Sequence, residues 1–359
     1  MPERIINLAE ALRECLAESA ARDSNVLVLA EGAEDPVPMF GTLRDVGERA
    51  TAEQVIEMPV AENGLVGVAI GAAMMGKRPV VSFQRVEFAL LAFEQIVNNA
   101  AKAHYISNGE HKVPLVVRLV VGRGWGQGPE HSQSLESVFA AFPGLKVIMP
   151  AFPADGKGML AAAIEDDNPV IVIEHRWCHY TTGDVPAGYY TESLDGPRRI
   201  REGSDVTIVA TSYMVLEAMR AADALAAAGV QAEVYDLRVV RPLNLSAIEE
   251  SVARTGRLLT VDTGHHMFGV GAEIVAQIAQ RRFGDLTAPP RRLGLPDHPT
   301  PSSRGLVPGF YPDAARIAEE VGDMLAIPVD KVAGVVDDLR RLRGDLPIDV
   351  PDPFFKGPF

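Results

Sequence analysis

The chain has 359 residues, too many for one ordinary core at roughly 100–200 residues per domain, so two domains are expected. Its 34 basic and 48 acidic residues leave a formal charge of -14, which repels a phosphate backbone and makes nucleic acid a poor partner. No apolar run approaches the ~18 residues of a membrane span, and Cys15 and Cys178 lack the CxxC spacing of a metal or disulfide framework, so both are expected as core thiols.

In chain order, the opening MPERIINLAEALRECLAES carries charges at both ends and places Leu8, Leu12, Cys15 and Leu16 at helical spacing. That pattern is not a signal-peptide core, and a cytoplasmic protein is expected. Short β-branched runs follow, SNVLVLAE, PVVSF, PLVVRLVV, LKVIMP and NPVIVIE, separated by Ala-rich helical stretches that include Leu65–Met75 and Phe88–His104. Such alternation predicts a parallel sheet covered by helices on both faces, here over residues 1–180. Gly183, Pro186, Gly188, Gly196, Pro197 and Gly203 then interrupt the pattern, and 181–203 is read as a linker. A second alternation begins at VTIVAT, with strands at VQAEVYDL, RLLTVD and Arg292–Leu295 and helices near Tyr213–Ala227, Leu245–Arg254 and Gly269–Arg282. It predicts a smaller α/β domain over 204–326. The extension 327–359 begins helical and ends Pro-rich, with Phe354, Phe355 and Phe359 in need of a surface to bury against.

Three segments of the first domain hold residues that a core does not require. In MPVAENGLVGVAIGAAMMG, Glu62 introduces an apolar helix, where a carboxylate is costly unless it is used or paired. It serves either chemistry or the helix dipole as a capping acid. Burial would raise its pKa and a helix N-terminus would lower it, and the sequence leaves both open. In SFQRVEFALLAFEQIVNNAAKAHYISNG, Gln84, Arg85 and Glu87 cluster just after a strand. In VVGRGWGQGPEHSQS, glycines at alternate positions from 122 to 128 deliver Trp125, Glu130, His131 and Ser132. Those glycines permit close backbone approach but form no dinucleotide fingerprint.

At these segments the chain resembles the β subunits of pyruvate and branched-chain 2-oxo acid dehydrogenases, members of the transketolase-like superfamily. The resemblance spans about residues 4–325 and is carried, in order, by PVAENGLVGVAIGAA, AFEQIVNNAAK, VPLVVR, EHSQSLESVFAAFPGLKVIMP, GKGMLAAAIEDDNPVIVIE and GAEIVAQIA. It implies an α/β fold of two domains, a transketolase-like pyrimidine-binding domain followed by a transketolase C-terminal-type domain. It further implies thiamine diphosphate as cofactor, an E1 α subunit joined in an α2β2 heterotetramer, decarboxylation of a 2-oxo acid, and acyl transfer to lipoamide on a lipoyl-bearing E2.

By motif position, the resemblance places Glu62 against N1′ of the aminopyrimidine, Phe88 on the pyrimidine ring and His131 near the reacting carbon and the acceptor. The AAAIEDDN run matches a segment whose backbone carbonyls hold potassium, which implies Leu115, Ala163, Ile164, Asp166 and Asn168 as ligands. The superfamily's GDG motif for magnesium and the diphosphate is not found: Gly183-Asp184, Gly284-Asp285 and Gly344-Asp345 continue with Val185, Leu286 and Leu346. Magnesium is therefore expected mainly on the α partner.

Two departures bear on substrate. Arg85 stands where many relatives carry an aromatic residue, and the usual glycine-rich stretch after the first strand is replaced by GAEDPVPMFGTLRDVGER. Arg85 either meets a carboxylate or phosphate of the substrate or forms a surface ion pair with Glu87. The alternatives to an E1 β subunit are a two-subunit transferase that moves a two-carbon unit from a ketose phosphate or 2-oxo acid to a non-lipoyl acceptor, and a non-catalytic scaffold subunit. The joint presence of Glu62, Phe88 and His131 argues against the scaffold.

Overall fold

Asn7 starts the first helix through a reciprocal cap: its side chain accepts the Glu10 N–H at 2.8 Å while the Glu10 carboxylate takes the Asn7 N–H at 2.9 Å. The computed structural model describes residues 4–51, 53–124 and 126–351. The cap sets α1 (Leu8–Arg22) behind a short strand β1 (Ile5–Asn7). Leu8, Leu12, Cys15 and Leu16 are fully enclosed, as the spacing predicts, and burying each leucine contributes roughly 1.5–3 kcal/mol.

The first unit continues through β2 (Val26–Ala30), α2 (Val46–Arg49), β3 (Val55–Glu57), α3 (Glu62–Met74), β4 (Arg78–Phe83), α4 (Ala101–Ile106), β5 (Val116–Val121), α5 (Glu136–Ala140), β6 (Lys146–Ile148), α6 (Pro153–Glu165) and β7 (Val170–His175). Then come β8 (Thr182–Asp184), β9 (Arg198–Arg201), β10 (Val206–Ala210), α7 (Met214–Ala227), β11 (Ala232–Asp236), β12 (Val239–Arg241), α8 (Ser246–Thr255), β13 (Leu258–His265), α9 (Val270–Arg281), β14 (Arg291–Leu295), α10 (Ala314–Met324) and α11 (Val329–Arg343). Among the described residues, no helix is long and apolar enough to cross a membrane.

A seven-stranded sheet runs β12-β6-β7-β5-β4-β2-β3, parallel except for β12, and a five-stranded sheet runs β14-β13-β10-β11-β9, parallel except for β9. Every residue of β5, β7 and β10 is buried, as parallel strands covered on both faces require. Inside that apolar layer Arg118 survives because it is paired: Nε and Nη2 reach the two Glu174 oxygens at 2.7 and 3.0 Å, and Nη2 also donates to Thr42 Oγ1.

The structure departs from the sequence reading in three places. The stretch 181–203, expected as a linker, carries β8, which pairs with β1, and β9, which edges the second sheet. β12, within the stretch expected as the second domain, adds to the first sheet beside β6. Such short edge strands carry too few residues for an alternation signal. The expected helix Phe88–His104 is a 3-10 segment over Val86–Ala92 and a π segment over Gln95–Ala100 that leads into α4. Apolar periodicity marks the buried face but does not distinguish these related coils.

Candidate active site

Parallel strands direct their C-terminal ends to one edge of the sheet, and the candidate residues gather there. Glu62 is the first residue of α3 and is 9% exposed. It does not cap the helix by hydrogen bonding: the N-cap is Ala61, and the Glu62 carboxylate makes no hydrogen bond to any described residue. Beside it, Glu31 follows β2 and accepts the Ala61 N–H at 3.1 Å. Burial pushes the Glu31 carboxyl up, the Ala61 N–H opposes this, and the charges of Glu62 and Glu57 add to the rise. Glu57, at the end of β3, is occupied by the Gly32 and Glu34 N–H groups at 2.8 and 3.0 Å. A cavity of about 300 Å³ opens here between Glu31, Glu57, Val60, Gln84 and Phe88. Two larger cavities, of about 670 and 760 Å³, lie away from these residues, against α5 and α9 and against α7 and α11.

The second segment meets the third across the sheet edge. The Phe88 ring stands edge-on to His131, with centroids 5.7 Å apart and planes at 73°. His131 Nδ1 is buried without a hydrogen-bond partner among the described residues. Glu87 supports the loop by accepting the Gln133 N–H at 2.6 Å. Burial pushes the Glu87 carboxyl up, opposed by that N–H and by Arg85 and His131.

Arg85 is 4% exposed and Glu87 9%, so the two charges face each other in the interior rather than at the surface. Its guanidinium lies 4.7 Å from the centre of the Phe40 ring, with Arg176 on the same ring at 4.7 Å, while Nη1 donates to the Gln84 carbonyl at 2.8 Å. Burial lowers its pKa to about 10, with Arg176 acting in the same direction and Glu87 against it. The segment replacing the expected glycine-rich stretch supplies this ring: Phe40 is held at φ 57° in the turn Pro38–Gly41.

The alternate glycines have identifiable neighbours. A β-carbon at Gly122 would collide with the His131 carbonyl, and one at Gly128, where φ is +62°, would collide with the Ser302 hydroxyl. The loop is thus packed by its own chain. Trp125, Phe354, Phe355 and Phe359 lie outside the described residues.

Leu115, Ala163, Ile164, Asp166 and Asn168 come together at the opposite sheet edge, around the entries to β5 and β7 and the end of α6. Arg78 Nη1 donates to the carbonyls of Ile164 and Asp166 at 2.9 and 3.2 Å, and Nη2 pairs with Asp167 at 3.0 Å. The Leu115 carbonyl takes the Val170 N–H at 2.9 Å and the Ala163 carbonyl takes the Asp166 N–H at 3.3 Å. Each such carbonyl keeps a second lone pair. No group of three or more His, Cys, Asp or Glu residues placed to hold a metal occurs among the described residues.

Sequence reasoning missed Glu31, Phe40 and the pair Glu136–Asp262. Glu31 closes the run VLVLAE and was detectable as an acid at a parallel strand's C-terminal end. The other two have no local signal. Glu136 is fully buried at the start of α5; burial and the neighbouring Asp262 push its carboxyl up, while the Ser134 hydroxyl, donating at 2.5 Å, pulls it down. Ser134 also meets Thr263 at 3.0 Å, which ties the His131 loop to β13.

Comparison with known proteins agrees with this two-domain fold. Residues 5–178 match the transketolase pyrimidine-binding domain and 197–317 the transketolase C-terminal domain. The chain is 37% identical to the β subunit of acetoin:2,6-dichlorophenolindophenol oxidoreductase of Cupriavidus necator, over 88% of this chain and 96% of that protein. It is 39% identical to the pyruvate dehydrogenase E1 β subunit of Gracilaria tenuistipitata, over 81% and 90%, and 38% identical to the 2-oxoisovalerate dehydrogenase β subunit of Bacillus subtilis, over 82% and 90%. Among solved structures, a split-gene transketolase described as an inactive β4 tetramer shares the fold at TM-score 0.72 and 24% identity, covering 90% of this chain and 99% of that one. A transketolase of Pichia stipitis shares it at 0.65 and 16%, covering 90% and 46%. The chain therefore belongs to the transketolase-like family of β subunits that includes those of the pyruvate dehydrogenase E1 component and 2-oxoisovalerate dehydrogenase.

Proposed function

We propose that the chain is the catalytic β subunit of a thiamine-diphosphate-dependent E1-type enzyme that decarboxylates a 2-oxo acid and passes the acyl unit to lipoamide, active only with an α partner. The observation that carries this reading is the approach of three separate segments at the sheet edge: Phe88 lines the cavity there and stands edge-on to His131, while Glu62 opens α3 beside Glu31, another residue of the cavity wall. Thiamine diphosphate, when bound, supplies the nucleophilic carbon that attacks the 2-oxo group and the electron sink for decarboxylation. The Glu62 carboxylate, without a hydrogen bond to any described residue, is available to share a proton with N1′ of the aminopyrimidine. Phe88 packs on that ring. His131, with Nδ1 beside Phe88 and without a partner among the described residues, exchanges a proton with the substrate oxygen or the acceptor.

The divided site, in which the α partner holds the metal and the diphosphate, rests on the sequence, which has no GDG motif. The carbonyls of Leu115, Ala163, Ile164, Asp166 and Asn168 remain the candidates for potassium.

A second reading, transfer of a two-carbon unit from an anionic ketose phosphate or 2-oxo acid to a non-lipoyl acceptor, is favoured by one observation. Arg85 lies beside the His131 loop, its Nε 3.2 Å from where a β-carbon of Gly122 would stand. Coexpression with the α gene, followed by carbon dioxide release from a panel of 2-oxo acids and ketose phosphates, decides between them. Release from 2-oxo acids with lipoamide acylation supports the first reading, turnover of ketose phosphates alone supports the second, and an assembled complex inert to every donor identifies a scaffold.

A further inference from the structure

We propose that residues 344–351 form a positioning strap that holds the glycine-rich loop, and through it His131, against the candidate site; the proposal rests on the role given to His131 above. The strap lies beyond residue 317, where the match to the C-terminal domain ends. It leaves α11 at Gly344 and is fastened along its length. Arg343 Nη2 donates to the carbonyls of Pro347 and Val350 at 2.9 and 3.4 Å. Val350 is buried in the core and Leu346 packs against it. α11 is itself seated on α10, where Gly322 leaves room for Val332.

Between these anchors Asp349, 1% exposed, presses on the loop: a β-carbon at Gly124, where φ is +81°, would collide with the Asp349 carbonyl. Arg304 Nε donates to Asp349 Oδ2 at 2.9 Å. Arg304 follows closely on Ser302, whose hydroxyl fills the space beside Gly128. The loop is therefore gripped at Gly124 by the strap and at Gly128 by the segment the strap is bonded to, and His131 comes next. Glycines give a loop the greatest backbone freedom, so its order must come from outside contacts. A misplacement of ~1 Å at a reacting group costs on the order of a hundredfold in rate. Asp349 and Arg304 act through the loop and are positioning residues.

The test uses the full-length chain, alone and assembled with its α partner and thiamine diphosphate. Asp349→Ala removes the Arg304 acceptor without altering the loop, Asp349→Asn keeps the shape and one acceptor oxygen, and Gly124→Ala expels the strap from the other side. Deuterium uptake by 122–132 in the chain alone is expected to quicken about tenfold in Asp349→Ala and Gly124→Ala and to stay near wild type in Asp349→Asn. In the assembled enzyme, kcat should fall about tenfold for Asp349→Ala while substrate KM and cofactor affinity stay within about twofold. Unchanged uptake in folded Asp349→Ala and Gly124→Ala overturns the proposal, and so does faster uptake with unaltered kcat. A wild-type complex inert to every 2-oxo acid would instead overturn the reading of function, while the uptake measurement still decides whether the strap orders the loop.

Discussion

Glu62→Gln separates a chemical role for this carboxylate from a merely structural one. The amide is nearly isosteric, the side chain is 9% exposed, and no hydrogen bond to a described residue is lost. Removing the charge also relieves Glu31, whose carboxyl Glu62 helps to push up. Folding stability should therefore change by no more than about 0.5 kcal/mol, and the heterotetramer should form. An acid serving only the dipole of α3 would behave oppositely, costing about 0.3–1 kcal/mol with no effect on chemistry. Because an amide cannot share a proton with N1′, activation should fall on the order of 10²–10⁴-fold. The assay is C2 deuterium exchange of the bound cofactor, read beside decarboxylation and a sizing profile of the complex. Normal exchange and turnover in an intact complex would refute the assignment of Glu62.

Three further outcomes are expected. His131→Ala should slow single-turnover acyl transfer more than it weakens cofactor binding, because the ring lies against Phe88, on the pyrimidine side proposed for the reacting centre; an unchanged transfer step with a large loss of cofactor affinity would refute it. The purified chain without α should not bind thiamine diphosphate and magnesium productively, and micromolar binding with turnover by this chain alone would contradict the divided site. Burial and the Asp262 charge raise Glu136 above its ordinary value of 4.5, so the folded chain keeps a proton that the unfolded chain releases, and stability falls as pH rises beyond that value. Glu136→Gln, neutral at every pH, should flatten the decline in Tm by roughly 1–3 °C between about pH 5 and 8, and parallel profiles of variant and wild type would show the carboxyl to be uninvolved.

Local pattern by itself determined the alternation of strands and helices, since β-branched runs and 3.6-residue periodicity are properties of a few neighbouring residues. The resemblance of the chain's motifs, in order, to those of the 2-oxo acid dehydrogenase β subunits singled out Glu62, Phe88 and His131. Tertiary structure decided their relations. Phe88 and His131 sit on different connections and meet only because β4 and β5 are neighbours in the sheet. The short strand β12 reads as part of the second alternation yet completes the first sheet. Arg85 follows a strand in a polar cluster that looks exposed, but the Phe40 turn and Arg176 enclose it. The alternate glycines announced a close approach without naming its partners, which proved to be the His131 carbonyl, Ser302 and Asp349. The physical reason is the same in each case: periodicity records which face of an element must leave water, whereas the group that covers it is chosen by packing between segments far apart along the chain.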